Sequence, residues 1–221
     1  MNNAKNVLLT GARRGIGAAI RSALTDDNFY TLICPTREEL ELADADSIRH
    51  FLSGMSSIDI IINNAGINIL KGIHEIDEDS IEKMLNVNLV APLKLIASLS
   101  SNMKNNQWGR IINISSIWGL TSKERRVLYS MTKFGLNGIT KSLAKELGPY
   151  NILVNSVCPG YVDTELTKNN ILPADQQKIK ETIPLGRFAQ PQEIARLVKF
   201  LISDDNTYIT GQTIVIDGGF L

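Results

Sequence analysis

The sequence predicts a three-layer α/β fold in which helices cover both faces of a doubly wound parallel sheet. Two observations carry this prediction. Short apolar runs typical of buried strands alternate with segments of helical apolar spacing along the 221-residue chain, as in parallel sheets covered on both faces. A glycine-rich turn also follows the first apolar run and opens the first helical segment. The length suits one domain, residues 1–221, and no linker, repeat or low-complexity stretch divides it.

The elements can be placed in order along the chain. The strand candidates are six apolar runs, at residues 7–9, 30–34, 58–62, 110–114, 152–157 and 213–216. The helix candidates are five segments, at residues 15–25, 47–55, 80–103, 128–147 and 191–202. Asp44 or Asp46 precedes the second helix and Asp77 precedes the third, and aspartates in these places are expected to act as N-caps.

The connection between the second strand and the second helix is short. It spans residues 35–46, about a dozen in all, whereas a crossover to another parallel strand takes a dozen or more residues by itself. The strand at 30–34 should therefore lead through the helix at 47–55 directly to the strand at 58–62. This leaves a sheet of about six strands, with the second strand at its edge.

Composition excludes several classes of function. The formal net charge is zero, so we expect no nucleic-acid partner. The longest apolar runs fall short of a membrane span, and the first residues lack a signal-peptide core, so we expect no membrane partner and a cytoplasmic location. Two cysteines do not suggest a disulfide framework. His50 and His74 lack a set of companion ligands, so we expect no metal.

The glycine-rich turn has the spacing GxxxGxG, at Gly11, Gly15 and Gly17. Glycines let a backbone approach a pyrophosphate, and a helix N-terminus offers free N–H groups and the positive end of the helix dipole. A strand, a glycine-rich turn and a helix in this order predict dinucleotide binding. A strand-to-helix turn without a ligand is the alternative reading of the glycines alone.

Tyr129 and Lys133 are four residues apart, so they lie on one face of a helix. A nearby ammonium favours the phenolate and lowers the pKa of a tyrosine, which titrates near ~10 in water. Such a tyrosine can exchange a proton with a carbonyl or alcohol oxygen. Ser116 lies thirteen residues upstream. Taken alone, a tyrosine and a lysine at this spacing more often belong to a solvated helix face.

Six motifs in one order give the chain a resemblance to the short-chain dehydrogenase/reductase family, almost from end to end. They are TGxxxGIG at residues 10–17, NNAG at 63–66, NVNL around Asn88, Ser116 with the Tyr129/Lys133 pair, PG at 159–160 with Val162 and Thr164, and the ending at 208–219. The resemblance implies a Rossmann fold. From the short connection described above, the family's third strand and the helix before it are expected to be missing.

The resemblance also implies the site residues. The catalytic set is Asn88, Ser116, Tyr129 and Lys133. Tyr129 would exchange the proton, Lys133 would lower the tyrosine pKa and bind the nicotinamide ribose, Ser116 would steady the substrate oxygen, and Asn88 would hold a water linked to Lys133. The cofactor set is Gly11, Arg13, Arg14, Gly15, Ile16, Gly17, Arg37, Leu42, Asn64, Ala65, Gly66, Tyr129, Lys133, Pro159, Gly160, Val162 and Thr164.

Charge near the second strand indicates the choice of cofactor. Relatives that prefer NAD place an acid at the end of this strand, whereas here Arg37 lies just beyond it and Arg14 just before the second glycine. Arginines suit a 2′-phosphate, so we expect NADP(H). NAD(H) remains possible if Glu38 or Glu39 reaches the ribose.

The substrate is the least determined feature. We expect Trp118, Leu120 and either Arg125 or Arg126 to line the pocket, and residues of about 161–190 to form a mobile lid. Trp118 could instead be a core residue. Arg125 and Arg126 are expected at the surface or at subunit contacts, with contact to an anionic substrate as the alternative.

Three functions remain open at this point. The first is reduction of a small 3-oxo compound or 3-oxoacyl thioester, because the segment from residue 183 onward resembles 3-oxoacyl-acyl-carrier-protein reductases. The second is a sugar or sugar-nucleotide reductase or dehydrogenase in surface glycan synthesis, and the third is a non-catalytic dinucleotide sensor. The resemblance implies a small-molecule substrate and a homo-oligomer, a tetramer or dimer. Apolar residues on the long helices support assembly: Leu85, Leu89, Leu93, Ile96, Leu99, Leu136, Ile139, Leu143 and Leu147.

Overall fold

The computed structural model describes residues 4–25 and 27–221. Its centre is a sheet of six parallel strands in the order β2-β1-β3-β4-β5-β6. The strands are β1 (Lys5–Leu9), β2 (Tyr30–Ile33), β3 (Ile60–Asn63), β4 (Gly109–Ile114), β5 (Ile152–Pro159) and β6 (Thr213–Ile216). The six predicted strands are all present, and the second lies at the sheet edge as expected.

Helices connect the strands and cover both faces of the sheet. They are α1 (Gly15–Thr25), α2 (Ala45–Ser53), α3 (Glu78–Leu85), α4 (Ala91–Asn105), α5 (Val127–Leu147), α6 (Glu165–Asn170), α7 (Pro173–Glu181) and α8 (Pro191–Ile202). The short helices α6 and α7 fall within the expected lid and were not predicted. Asp44 caps α2 by accepting from the N–H of Asp46, so Asp46 is not the cap, and Asp77 caps α3 by accepting from the N–H of Ser80.

The helix expected at residues 80–103 is not continuous. A π-helical segment, Asn86–Val90, separates α3 from α4, and the N–H of Ala91 donates to the carbonyl of Asn86 five residues earlier. Pro92 gives the physical reason, because it has no N–H to donate to the carbonyl of Asn88 four residues before it. Single π turns of this kind occur often at functional sites, and this one contains Asn88.

Successive strand residues point to opposite faces, and each face has its own core. Val7 and Leu9 pack with Ile20 of α1 and Val198 of α8 on one side. The intervening Leu8 packs on the other side in a second cluster, with residues of α2, α4 and α5. Both clusters are fully buried at their centres. The two cores explain why the strands are continuously apolar instead of alternating.

The short connection after β2 forms turns and no additional strand. Leu40 is buried and packs beside Ile48 of α2, so this side chain fills the space below the connection. The chain then enters α2 at once. The expectation that the family's third strand and its preceding helix are missing is therefore confirmed.

The helical segment Glu78–Asn105 is long and apolar enough, by length and composition alone, to cross a membrane. Sequence inspection had predicted that every apolar run would be too short. Half of the most apolar window is buried inside the protein, and Leu95, Ile96 and Met103 belong to the core. We therefore interpret the segment as a core helix, a class that meets the same criteria.

The strand order determines where a ligand can bind. The chain moves outward from β1 to β2 and then returns to the other side of β1 for β3. The loops after β1 and β3 consequently leave the same edge of the sheet in opposite directions. Ligands of open α/β sheets bind in the crevice that forms at such a point.

Candidate active site

The turn between β1 and α1 is closely packed and requires glycine. Gly11 and Gly15 have φ values of +68° and +54°, in the left-handed region that favours glycine. A Cβ on Gly17 would lie 2.1 Å from the carbonyl oxygen of Gly11. The turn leaves the first N–H groups of α1 facing the crevice, where they can bind a pyrophosphate. These residues fit a dinucleotide because any side chain at Gly17 would close the backbone cradle.

Hydrogen bonds join this turn to the loop after β3. The Thr10 hydroxyl accepts from the N–H groups of Asn64 and Ala65, each at 3.1 Å. The Asn64 side-chain amide donates to the carbonyls of Thr10 and Gly11 at 2.9 and 3.0 Å. Thr10 was not predicted as a site residue, although it opens the TGxxxGIG motif. We call Thr10 to Gly17 together with residues 64–66 the glycine end of the cleft.

The second half of the site lies where β4 meets α5. Ser116 follows β4, and its hydroxyl accepts from the N–H of Trp118 at 3.2 Å. Tyr129 and Lys133 lie one turn apart in α5, as the spacing predicted. The Lys133 ammonium donates to the carbonyl of Ile114 at 2.7 Å and lies 5.5 Å from the centroid of the Tyr129 ring. We call Ser116, Arg126, Tyr129 and Lys133 the tyrosine end.

Burial dominates the electrostatics of the tyrosine end. It lowers the pKa of Lys133 to about 8, from an ordinary value of 10.5, because a buried ammonium loses its hydration. Burial also raises the pKa of Tyr129, and the neighbouring Ser116 hydroxyl and Arg126 charge oppose this rise. The expected lowering of the tyrosine pKa by Lys133 is therefore wrong as a net direction: burial outweighs the charges, and Lys133 is directed at the Ile114 carbonyl.

Asn88 lies behind the cleft and does not line it. Its side-chain oxygen accepts from the N–H of Ile67 at 2.9 Å, and its amide donates to the carbonyl of Ile67 at 2.8 Å and to the Thr132 hydroxyl at 3.2 Å. The side chain thus joins the loop after β3 to α5, at the residue next to Lys133. Its predicted role as a water ligand stays a prediction.

Charged side chains surround the far side of the glycine end. Arg13, Arg14 and Arg37 line the cleft, whereas Glu38 and Glu39 do not. Glu39 accepts from the N–H of Thr36 at 2.7 Å, which directs its carboxylate to its own turn. Arg37 pairs with Glu41 at 2.5 Å, and Arg14 pairs with Glu165 at 3.3 Å. Two carboxylates therefore share this region with the three guanidinium groups.

An aromatic cluster closes the cleft beyond the tyrosine end. Tyr161 meets Trp118 edge to face at 6.3 Å and stacks on Phe188 at 5.6 Å between ring centroids. Trp118 is 7% exposed and also lines the cleft, so it is both a core residue and a wall of the pocket. Leu120 is exposed and does not line the cleft, which corrects the prediction for that residue.

The two neighbouring arginines separate in the structure. Arg125 is at the surface and pairs with Glu75 at 2.8 Å. Arg126 is only 6% exposed, lines the cleft, and holds its guanidinium carbon 5.6 Å from the centroid of the Trp118 ring. The expectation that both arginines lie at the surface or at subunit contacts is thus wrong for Arg126. Residue spacing gave no means of telling which of two adjacent arginines turns inward.

The cleft has a volume of about 840 Å³. Every predicted cofactor residue lines it, as do the predicted catalytic residues Ser116, Tyr129 and Lys133. Sequence reasoning missed Asn68 and Lys83, which also line it and belong to no motif, and Val87, which also lines it and lies within the NVNL motif. Over residues 4–25 and 27–221, no group of three or more His, Cys, Asp or Glu side chains is arranged to hold a metal ion.

Comparisons with known proteins agree with this geometry. The family model described as enoyl-(acyl carrier protein) reductase matches residues 36–221. The chain is 40% identical to a 3-oxoacyl-[acyl-carrier-protein] reductase of Aquifex aeolicus, with 96% of this chain and 95% of that protein covered. It is 35% identical to an acetoacetyl-CoA reductase of Shinella zoogloeoides, with 96% of each covered.

A solved structure has a similar fold. A mutant of 4-hydroxyisoleucine dehydrogenase complexed with NADH and succinate superposes with a TM-score of 0.91, at 32% identity and with 98% of each chain covered. The fold of this chain therefore matches that of a solved structure over almost its whole length. The chain therefore belongs to the short-chain dehydrogenase/reductase family of oxidoreductases.

Proposed function

We propose that this protein is an NADP(H)-dependent reductase that interconverts a 3-oxo compound and its 3-hydroxy alcohol. A 3-oxoacyl thioester is one form of such a substrate and a free 3-oxo acid is another. The convergence of Ser116, Tyr129 and Lys133 at one end of the cleft carries the proposal, because a sensor would have no need of a proton donor. The names of the relatives that act on 3-oxoacyl and acetoacetyl groups support the substrate class.

In this mechanism each residue acts on the substrate oxygen or on its neighbours. A bound nicotinamide cofactor supplies the hydride for reduction or accepts it in oxidation. Tyr129 donates its proton to the carbonyl oxygen as that oxygen gains negative charge. Ser116 donates a hydrogen bond to the same oxygen, an oxyanion-hole contribution. The phenol, whose pKa is raised, remains protonated at neutral pH and is ready to donate.

Lys133 and Asn88 support this proton donor. Lys133 is held by the Ile114 carbonyl, and we assign it to the nicotinamide ribose and to the charge balance of the tyrosine. We infer that Asn88 positions the loop after β3 against α5, through Ile67 and Thr132, in addition to any role as a water ligand. We also assign residues 161–190 to a lid over the substrate within a single domain.

The preference for NADP(H) rests on the three arginines of the glycine end. Of the nearby acids, Glu39 is bound to its own turn and Glu41 is bound to Arg37, so neither is free for a ribose hydroxyl. An arginine can bind a 2′-phosphate with two parallel hydrogen bonds. We expect Arg37→Gln to lower the ratio of NADPH to NADH affinity by about 10-fold. The control is Arg49→Gln, because Arg49 is an exposed arginine of α2 paired with Asp46.

The test of the reaction is a substrate panel followed by the absorbance of reduced nicotinamide. We expect turnover of acetoacetyl thioesters or acetoacetate with NADPH. Turnover of 4-keto sugar nucleotides alone would instead support a role as a sugar-nucleotide reductase in glycan synthesis. Absence of turnover with every carbonyl compound, while NADPH still binds, would support a sensor.

We further propose that the protein is a cytoplasmic homo-oligomer, a tetramer or dimer. Of the nine apolar helix residues first considered, only Leu93 is among the large exposed side chains, and Ile96, Leu99, Leu136 and Leu147 are buried in the core. Val127, Met131 and Phe134 form an exposed stripe on α5 instead, with the i, i+4, i+7 spacing of one helix face. Light scattering on the parent and on Phe134→Glu tests this, and a parent mass of 24.4 kDa would contradict it.

A further inference from the structure

Arg126 is a buried guanidinium without a hydrogen-bond partner in the described part of the chain. The contrast with Arg110, the other buried arginine, is direct. Arg110 is 3% exposed, and its two terminal nitrogens donate to the carbonyls of Gly109, Asn151 and Asn206, at 2.9, 3.3 and 3.2 Å, whereas its Nε has no partner. Arg126 is 6% exposed, and no oxygen atom of the described residues accepts from it. A guanidinium that lines the cleft without an acceptor from the protein keeps its N–H groups free to bind a ligand.

The backbone turns Arg126 into the cleft. Arg125 has a φ of +62°, a left-handed conformation that is uncommon for a residue with a side chain. The bidentate pair between Arg125 and Glu75, at 2.8 and 3.3 Å, holds this turn from outside. The chain then enters α5 with Arg126 directed inward, one helical turn before Tyr129 and on the same face. Strained residues of this kind cluster at functional sites.

The surroundings of Arg126 suit a negatively charged group. Its guanidinium carbon lies 5.6 Å from the centroid of the Trp118 ring. The Lys123 ammonium is 5.7 Å from the same centroid, and Glu124 is exposed. Burial lowers the pKa of Arg126, and the Glu124 charge opposes this shift. A carboxylate would supply both hydrogen-bond acceptors and an opposite charge, because its two oxygens match the fork of a guanidinium.

We propose that Arg126 binds a carboxylate of the substrate, so that the natural substrate is an oxo acid and the product is a hydroxy acid. This inference rests on the proposed function, since it assumes that the carbonyl meets Ser116 and Tyr129. It goes further by naming a second charged point of attachment. A thioester carbonyl could accept a hydrogen bond from Arg126, but it would leave the buried charge unneutralised.

Binding to the enzyme loaded with oxidised NADP tests the proposal, because the oxidised cofactor cannot reduce an oxo acid. Calorimetry compares three acids with their methyl esters: pyruvate, acetoacetate and levulinate. We expect at least one acid to bind about 10- to 100-fold more tightly than its ester. Arg126→Met should remove this difference while binding of the ester and of NADP is retained. Lys123→Met, which removes a nearby exposed charge, should keep it.

Arg126→Lys guards against misfolding of the methionine variant, since it preserves the charge and should retain part of the preference for the acid. Equal binding of acid and ester in all three pairs, or a preference that persists in Arg126→Met, would overturn the proposal. The outcome is separable from that of the proposed function. Thioester turnover without any preference for acids removes only the role of Arg126, whereas acid binding that depends on Arg126 without any carbonyl turnover removes only the reaction.

Discussion

At the glycine end of the cleft, contacts depend on the backbone; at the tyrosine end, they depend on buried side chains. The glycine end joins β1 to β3 through carbonyls, N–H groups and two short polar side chains. The tyrosine end joins β4 to α5 through Lys133 and the carbonyl of Ile114, and Arg126 and Tyr129 complete it.

The two ends therefore differ in what they require: the glycine end requires a particular backbone shape, and the tyrosine end requires reactive side chains. The pyrophosphate is common to NAD and NADP, so a rigid backbone cradle is sufficient to bind it. Proton transfer instead requires groups whose pKa values are displaced, and burial displaces both Lys133 and Tyr129. A side chain changed at the tyrosine end should therefore alter chemistry more than structure, and the reverse should hold at the glycine end.

The largest expected effect is on turnover at the tyrosine end. Tyr129→Phe removes only the transferable proton, so turnover should fall by about 100- to 10,000-fold while the melting temperature and cofactor affinity stay close to those of the parent. Steady-state kinetics measures turnover, and a cofactor titration measures cofactor affinity. Tyr150→Phe, at a tyrosine outside the cleft, is the matched control. Equal turnover in Tyr129→Phe and the parent would refute the proton-donor role.

At the glycine end, Gly17→Ala should disrupt binding and structure together. The added Cβ would approach the Gly11 carbonyl to 2.1 Å, so we expect a loss of stability of about 1–3 kcal/mol and at least about 10-fold weaker cofactor binding. Gly138→Ala is the control, because a Cβ there meets no atom within 4 Å. It should stabilise α5 by about 1 kcal/mol. Denaturant unfolding compares the stabilities of the two variants. Unchanged cofactor affinity in Gly17→Ala would contradict the proposal that the glycine turn binds the pyrophosphate.

Lys133→Met should stabilise the protein while abolishing turnover. The folded-state pKa is depressed from 10.5 to about 8, so between these values the unfolded chain binds more protons and the stability contributed by this group rises with pH. The cost of burying the ammonium is thus complete below pH ~8 and disappears above pH ~10.5. We expect a gain of about 1–2 kcal/mol at neutral pH, after loss of the hydrogen bond to Ile114.

The measurement is urea unfolding of the parent and the variant at several pH values. A gain in stability of Lys133→Met over the parent that becomes smaller as the pH approaches 10 would confirm that burial of the Lys133 charge destabilises the parent. A variant that is less stable than the parent at neutral pH would show that the hydrogen bond to Ile114 outweighs it. Lys141→Met provides the control, because that residue lies in the same helix and is exposed.

The smallest expected effect is that of Thr10→Val, which preserves shape and removes the hydroxyl. The N–H groups of Asn64 and Ala65 would lose their acceptor, at a cost of about 1–2 kcal/mol. Cofactor affinity should fall with stability, since the two halves of the glycine end are joined there. Thr207→Val, at an exposed threonine, should change neither quantity. Thermal unfolding with and without NADPH measures both effects.

Sequence alone determined the six strands, their order along the chain and the edge position of β2, because strand and crossover lengths leave little freedom. It also identified many of the residues that line the cleft, since glycine turns and a four-residue helical spacing are local features of the chain. It did not predict the short helices α6 and α7. It failed at residues 80–103, where Pro92 breaks the hydrogen-bond pattern, and in choosing the exposed apolar residues of α4 and α5.

Only the tertiary structure decided which of Arg125 and Arg126 enters the cleft, and in which direction the pKa of Tyr129 moves. Both depend on how β4, α5 and the aromatic cluster pack together, with contacts between residues far apart in the chain. Burial is a property of that packing and has no local signature. The sequence therefore determined the reaction class through short motifs, and the packing determined which arginine lines the cleft.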